Sequence, residues 1–240
     1  MSGYLVNAVL TGLLIGTVLL AADAGAEQKK APYEPAELLY ADGFTDGLRN
    51  WVIEGESPEV RAGAMAIDTG EGFTAWFRER LSGDVLIEYQ VRVIDAGGPN
   101  DRVSDLNCFW MATDPKSPDD LFAGSKQRAG IFANYDPLRL YYVGYGGNSN
   151  KTTRFRRYPG GGERPVLGEY TDKKHLIEAN KLCTIQLVVF GDLVQYIFNG
   201  DVLFELKDPE PLTSGWFGIR TVKNHMNVYN FKVYRLKSSQ

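Results

Sequence analysis

The densest run of groups able to hold or cleave a polar ligand lies at residues 141–158, YYVGYGGNSNKTTRFRRY. It packs four Tyr, three Arg, one Lys and two Asn around a Gly-rich bend. Arg154 and Arg156 are two apart, so a strand puts both guanidinium groups on one face, where they could grip a carboxylate through paired hydrogen bonds. Tyr142 or Tyr145 could supply or remove a proton. Breaking a uronic acid linkage by β-elimination calls for such parts: a cation or amide on the carboxylate, a base at the adjacent carbon and a proton donor for the leaving oxygen. The competing reading is a charged hairpin whose Tyr residues pack a sheet edge.

A second polar group stands at residues 101–107, DRVSDLN, where Asp105 and Asn107 project together at a strand entrance as an acid or ligand pair. No His or Cys accompanies them at chelating spacing, so a transition metal is not expected. In residues 84–95, DVLIEYQVRVID, alternation sends Ile87, Tyr89, Val91 and Val93 one way and Glu88, Gln90 and Arg92 the other. A face mixing carboxylate, amide and guanidinium suits a sugar groove, and equally a solvated outer sheet. Of the two His, His175 belongs to an expected surface helix and His225 to the loop between the last two strands. Gly160-Gly161-Gly162 lacks the Lys-Ser/Thr and helix that would make it a phosphate cradle.

The elements that must position these groups are strands. With 240 residues, 44% of them hydrophobic, the chain is long enough for one full-sized core. Its 26 Gly, 11 Pro, 13 Tyr and 12 Phe suit many short strands joined by tight turns. A net charge of -4 supplies no global cationic field, which argues against nucleic acid as a partner. Residues 8–22 are uncharged and apolar, and Ala24-Gly25-Ala26 follows as a small-x-small cut site. That pattern predicts a signal peptide over 1–26, a linker over 27–37 and one domain over 38–237. The product is secreted or periplasmic, with no stable membrane insertion after cleavage; a retained anchor is the alternative. About a dozen alternating runs predict an all-β, two-sheet antiparallel sandwich or jelly roll, with Asn199-Gly200 as its clearest hairpin turn. Residues 128–135 read as one of the strands, 173–182 (KKHLIEANKL) as the one short helix and 114–126 as an exposed loop. In residues 105–112, Leu106, Cys108, Trp110 and Ala112 are expected to oppose Asp105, Asn107, Phe109 and Met111. Cys108 and Cys183 are expected as separate buried thiols, with a single bridge as the alternative.

Residues 38–55 (LLYADGFTDGLRNWVIEG), 64–68 (AMAID), 75–95 (AWFRERLSGDVLIEYQVRVID) and 215–236 (GWFGIRTVKNHMNVYNFKVYRL) together resemble the YesU-like exported jelly rolls of the concanavalin A-like lectin/glucanase superfamily. The resemblance covers roughly residues 38 to 236 and implies a glycan-binding sheet, a poly- or oligosaccharide partner and a setting in polysaccharide degradation. By resemblance alone, Arg220 and His225 are candidate base or binding residues, and a structural calcium is implied near Asp42 and Asn230. No other cofactor is required. Two departures narrow the chemistry. The Glu-x-Asp-x-x-Glu motif of laminarinase-type hydrolases is absent, for Glu88-Tyr89-Gln90-Val91-Arg92 offers one carboxylate, and the Gln-x-His of alginate-lyase jelly rolls is missing. Because of the Arg-rich strand, the leading expectation is a polysaccharide lyase acting on a uronate-containing glycan, with Arg154 and Arg156 on the carboxylate, Tyr145 and His225 moving protons, and Asn107 and Arg220 orienting the sugar. A non-catalytic glycan-binding module and a glycoside hydrolase of the same fold are the alternatives.

Overall fold

The computed structural model describes residues 31–240, so the expected signal peptide lies outside the described residues. Fourteen strands follow one another: β1 (Tyr33–Asp42), β2 (Trp51–Glu54), β3 (Glu59–Arg61), β4 (Ala64–Phe77), β5 (Leu81–Ser82), β6 (Val85–Val93) and β7 (Leu106–Thr113). After a long crossing come β8 (Arg139–Gly146), β9 (Thr152–Pro159), β10 (Val166–Tyr170), β11 (Leu182–Phe190), β12 (Leu193–Phe198), β13 (Asp201–Lys207) and β14 (Ser214–Ser238). β1 begins inside the span expected as linker, because Tyr33 to Asp42 pair with Ser238 to Phe231.

Every pairing is antiparallel, and the result is the expected two-layer sandwich. One layer runs β10-β9-β8-β7-β14-β4-β2. The other runs β13-β12-β11-β6-β14-β1. β14 serves both: Trp216 to Arg220 pair with β7, whereas Met226 to Arg235 pair with β6. The change of layer coincides with a register shift between Val222 and Asn224 and with Lys223 at φ 43. The alternation in β6 is the predicted one, with Ile87, Tyr89, Val91 and Val93 buried between the layers and Glu88, Gln90 and Arg92 half-buried outside. Facing them, Phe73, Ala75, Cys108, Trp110, Tyr141, Val143 and Ile219 complete one large core. Each such side chain contributes on the order of 1.5–3 kcal/mol by leaving water. The Asn199-Gly200 turn links β12 to β13 with φ 52 and 92, the left-handed pair that such a hairpin needs. Cys108 and Cys183 are both free thiols.

Four local expectations are corrected. Residues 128–135 are not a strand: an α turn, Ser125–Arg128, ends there and a 3-10 turn, Phe132–Tyr135, follows. Gly130 lies so close to β4 that a Cβ on it would sit 2.1 Å from the Gly72 carbonyl oxygen, which leaves no room for a ladder. Residues 114–126 are not a free loop, since Leu121 is fully buried and anchors the segment over the outside of the first layer. The KKHLIEANKL helix shrinks to a 3-10 turn at Lys173–His175. Asn150 accounts for this: its amide donates to the Ile177 carbonyl (2.9 Å) and accepts from the Ile177 N–H (2.8 Å), taking the groups a helix would use. Finally, the alternation in β7 breaks at Met111. A bulge with φ 51 turns Met111 into the main core and sends Ala112 outward, beside Gly215, where a Cβ would lie 2.3 Å from the Met111 carbonyl carbon.

Candidate functional site

The outer face of the first layer carries two parallel rows of side chains, traced by register across seven strands. The polar row is Glu54, Thr74, Arg220, Asn107, Gly144, Arg154 and Glu169, each directly opposite the next. The neighbouring row is Val52, Trp76, Gly218, Phe109, Tyr142, Arg156 and Val166. Glycines make the second row flat. A Cβ on Gly218 would come within 2.5 Å of the Trp76 ring, and one on Gly144 within 2.5 Å of the Tyr142 hydroxyl. Trp76 therefore lies down and stacks on Phe109 at 5.5 Å, and Tyr142 reaches over Gly144 toward the polar row.

Residues 121–135 roof this face. Arg128 reaches down to Glu54 with Nε and Nη2 (3.0 and 2.6 Å to Oε1), and Tyr135 donates to the other carboxylate oxygen at 2.5 Å. Both members of that ion pair are almost fully buried. Phe132 and Tyr135 then cover Arg220, whose guanidinium carbon lies 4.5 and 5.1 Å from their ring centres.

Arg220 differs from Arg128 in having no carboxylate partner. Its Nη1 donates to the Gly130 carbonyl at 3.2 Å, while Nε and Nη2, one whole edge of the fork, have no partner, and the residue is 1% exposed. Beside it in the row, Thr74 Oγ1 and Asn107 Oδ1 are also buried and unpartnered. Burial pulls the Arg220 pKa below its ordinary value, opposed by Tyr135, Tyr142 and Asp105. Tyr142 is pushed well above the usual phenol range by burial, then by Tyr158, with Arg220 and Arg156 acting against them. Tyr158 is pushed up to about 12, again by burial first. The arrangement is a desolvated cation edge, an amide oxygen and a hydroxyl facing neutral phenols. It can take a carboxylate and hydroxyl groups.

Of the candidates from sequence, Asn107, Tyr142, Arg154, Arg156 and Arg220 share this face. Asp105 stands at its edge, already accepting from Arg102 (2.7 Å) and Ser104 (2.9 Å). Arg154 pairs with Glu169, and Arg156 donates to the Arg164 carbonyl. The others lie elsewhere. Tyr145 has the opposite parity to Tyr142 and points between the layers, stacked on Phe198 at 4.5 Å. His225 is not in a loop, because the two runs expected as the last strands are one strand, β14. Beyond the layer change it lies opposite Asp68, is bonded through Nδ1 to Asp101 at 2.8 Å and borders a separate pocket of about 220 Å³ with Asp68 and Glu59. Gln90 and Arg92 are on the outside of the second layer, where Gln90 accepts from Asn230 at 2.7 Å. Asp42 does not fit a calcium ion: the Phe44 amide, Asn50 and Trp51 donate to its two oxygens at 2.7 to 3.1 Å, placing hydrogens where a cation would sit. Among the described residues, no group of three or more His, Cys, Asp or Glu is placed to hold a metal. Thr74, Tyr158 and the Glu54–Arg128 pair were missed. Thr74 and Trp76 alternate with Phe73, Ala75 and Phe77, so parity marks them as outward; which strands flank them is a matter of topology.

Comparison with solved structures supports the fold. The chain is similar to a Bacillus subtilis protein of unknown function with a galectin-like fold, at TM-score 0.69 and 16% identity over 86% of this chain and 100% of that one. It is similar to the endo-β-1,3-glucanase from Pyrococcus furiosus, at TM-score 0.57 and 10% identity over 84% and 95% of the two chains. A carbohydrate binding module from Bacillus subtilis superposes at TM-score 0.54 and 12% identity, over 77% and 95%. No curated protein matches the sequence. A family match covers residues 67–231, a span that holds every member of the polar row except Glu54, and the chain belongs to that family, described as Domain of unknown function (DUF6250).

Proposed function

We propose that the chain binds a uronate-containing glycan outside the cytoplasm, on the outer face of the first layer. The observation that carries this reading is the buried Nε–Nη2 edge of Arg220, without a hydrogen-bond partner, beside Asn107 Oδ1 and Thr74 Oγ1. A buried cation without a counter-ion costs several kcal/mol, and each buried unpartnered polar atom about 1–3 kcal/mol. A uronate answers all three at once: its carboxylate accepts the two parallel N–H groups, and ring hydroxyls serve the amide and the threonine. Arg156, in the neighbouring row and in no ion pair among the described residues, draws in the next acidic residue of the glycan. The apolar row gives sugar C–H faces a surface at Tyr142. Solved structures of similar fold that bind or act on carbohydrate support the choice of ligand class.

Because Arg220 lies under Phe132, the ligand enters as residues 121–135 lift. The test is calorimetric titration of the purified chain with oligogalacturonate and oligomannuronate, against neutral gluco-oligosaccharides of equal length. Binding restricted to the acidic ligands, weakened by salt and abolished in Arg220→Met, is expected. Equal affinity for the neutral oligosaccharides, or silence toward all of them, would sink the proposal.

Tyr142 favours a second reading, in which the bound glycan is cleaved by β-elimination. Its buried, neutral phenol stands next to both Arg156 and Arg220. Arg220 holds the carboxylate, Asp105, whose charge reaches both Tyr142 and Arg220, takes the proton from the adjacent carbon, and Tyr142 protonates the glycosidic oxygen as its C–O bond breaks and the C=C bond forms. An ultraviolet rise from unsaturated uronate, lost in Tyr142→Phe without loss of binding, distinguishes an enzyme from a binding module.

A further inference from the structure

At one end of the sandwich the two layers part, leaving a cleft of about 1260 Å³ between them. It is separate from the outer face, since Leu106 and Tyr145, which line it, have the opposite parity to Asn107 and Gly144. Its floor is apolar, with Val93, Leu106 and Tyr145 buried and the Tyr145 and Phe198 rings nearly parallel, 12° apart. Leu182 and Val202 form greasy lips, 44% and 50% exposed. The 171–181 segment walls the cleft, fixed by the two Asn150–Ile177 hydrogen bonds and by the Tyr145 hydroxyl, which donates to the Leu176 carbonyl at 3.3 Å.

The rim carries charges of both signs, with an excess of cations on one wall: Lys173, Lys174 and Lys181 line it from the 171–181 segment together with Glu178, and Asp201 stands at the hairpin side. Lys181 is paired with Glu178, and His175 is fixed by Asp172 at 2.7 Å and by stacking on Tyr170 at 3.9 Å. Lys173 and Lys174 are exposed and form no ion pair among the described residues. A hollow of small-molecule size, apolar below and charged only at the mouth, with Lys173 and Lys174 as its cations outside any ion pair, sorts ligands by polarity along one axis. A polysaccharide does not match it, because hydroxyls would face the floor unbonded.

We propose that this cleft binds an amphipathic carboxylate, with its hydrocarbon chain against Tyr145, Phe198 and Leu203 and its carboxylate at Lys173 and Lys174. The chain supplies the affinity by leaving water. The lysines supply the preference for an acid, since the head group stays at the solvated rim and keeps much of its hydration.

The test is displacement of a dansylated fatty acid from the full chain by octanoate, decanoate and dodecanoate, each below its micelle concentration, with dodecanol as the neutral control. Saturable binding is expected, tightening about fourfold per added methylene until the cleft is filled. Dodecanoate is expected to exceed dodecanol by about tenfold, a preference that disappears in the double variant Lys173→Glu, Lys174→Glu. Val202→Trp, at an exposed lip, is expected to weaken every chain length alike. Absence of saturable dodecanoate binding by the folded protein would overturn the proposal, as would equal affinity for acid and alcohol. Retention of the acid preference in the double variant would also overturn it. Oligouronate binding, measured on the same variants, is expected to stay unchanged.

Discussion

The two outward faces of the sandwich are made from the same kind of alternating strand and reach opposite chemical states. On the second layer the polar side chains answer one another across strands: Asn230 with Gln90, Gln186 with Glu88 at 2.8 Å, and Gln195 with Glu205 at 2.6 Å. Arg92 Nε is the exception there. On the first layer a roof covers the middle of the polar row, and Thr74 Oγ1, Asn107 Oδ1 and the Nε–Nη2 edge of Arg220 are left without partners under it. Polar residues on an outer sheet therefore say little about binding. What marks the first layer is that the middle of its polar row is dry and unmatched between two paired ends, Glu54–Arg128 and Arg154–Glu169, a state that costs stability unless a ligand completes it.

Breaking the roof should have the largest effect. Glu54→Ala strands the Arg128 cation in the interior, and urea unfolding is expected to show a loss of about 3–5 kcal/mol. A loss below about 1 kcal/mol would mean the roof is not held by that pair. Arg220→Met should separate binding from stability: oligouronate affinity is expected to fall by roughly 2 kcal/mol or more, while the thermal midpoint holds or rises. A lower midpoint in Arg220→Met would make Arg220 a structural residue. Asn107→Ala is expected to cost about 1–2 kcal/mol of binding and little stability. Gln90→Ala, on the answered face, should change oligouronate binding not at all and stability by less than about 0.5 kcal/mol.

Asp208 sharpens the contrast, being a buried charge that is fully matched. Tyr141 (2.5 Å), Arg157 (2.7 Å) and the Glu210 amide (3.0 Å) all donate to it. Burial alone would raise its pKa, but these hydrogen bonds outweigh burial and leave it below the ordinary carboxylate value. A depressed native pKa contributes stability that is complete above the unfolded value, near 4, and is lost as pH falls through the native one. The thermal midpoint should therefore drop on acidification below about pH 4, and Asp208→Asn should start lower and flatten that drop. An unchanged acid limb would break the assignment.

Much of this was legible from alternation alone. The inward set of β6 and the shared face of Arg154 and Arg156 follow from parity, and the Asn199-Gly200 hairpin from its turn residues. Parity also separates Tyr142 from Tyr145, so joining them in one site was inconsistent with the strand that carries both. Bulges defeated the rest. Met111 and Lys223 each shift the count by one, which turns Ala112 outward and moves His225 away from Arg220. The roof was invisible for a different reason: its hold on the sheet comes from a glycine contact with β4 and from Arg128 to Glu54, 74 positions apart, and local propensity carries no trace of either.

Because β14 is one uninterrupted strand of 25 residues belonging to both layers, neither layer can be melted, excised or grafted by itself. Heating should yield a single calorimetric transition. A break engineered near Lys223 should yield two halves that recover order only when mixed. Descendants of such an architecture are free to remodel roof and rim, but this shared spine has to be inherited whole.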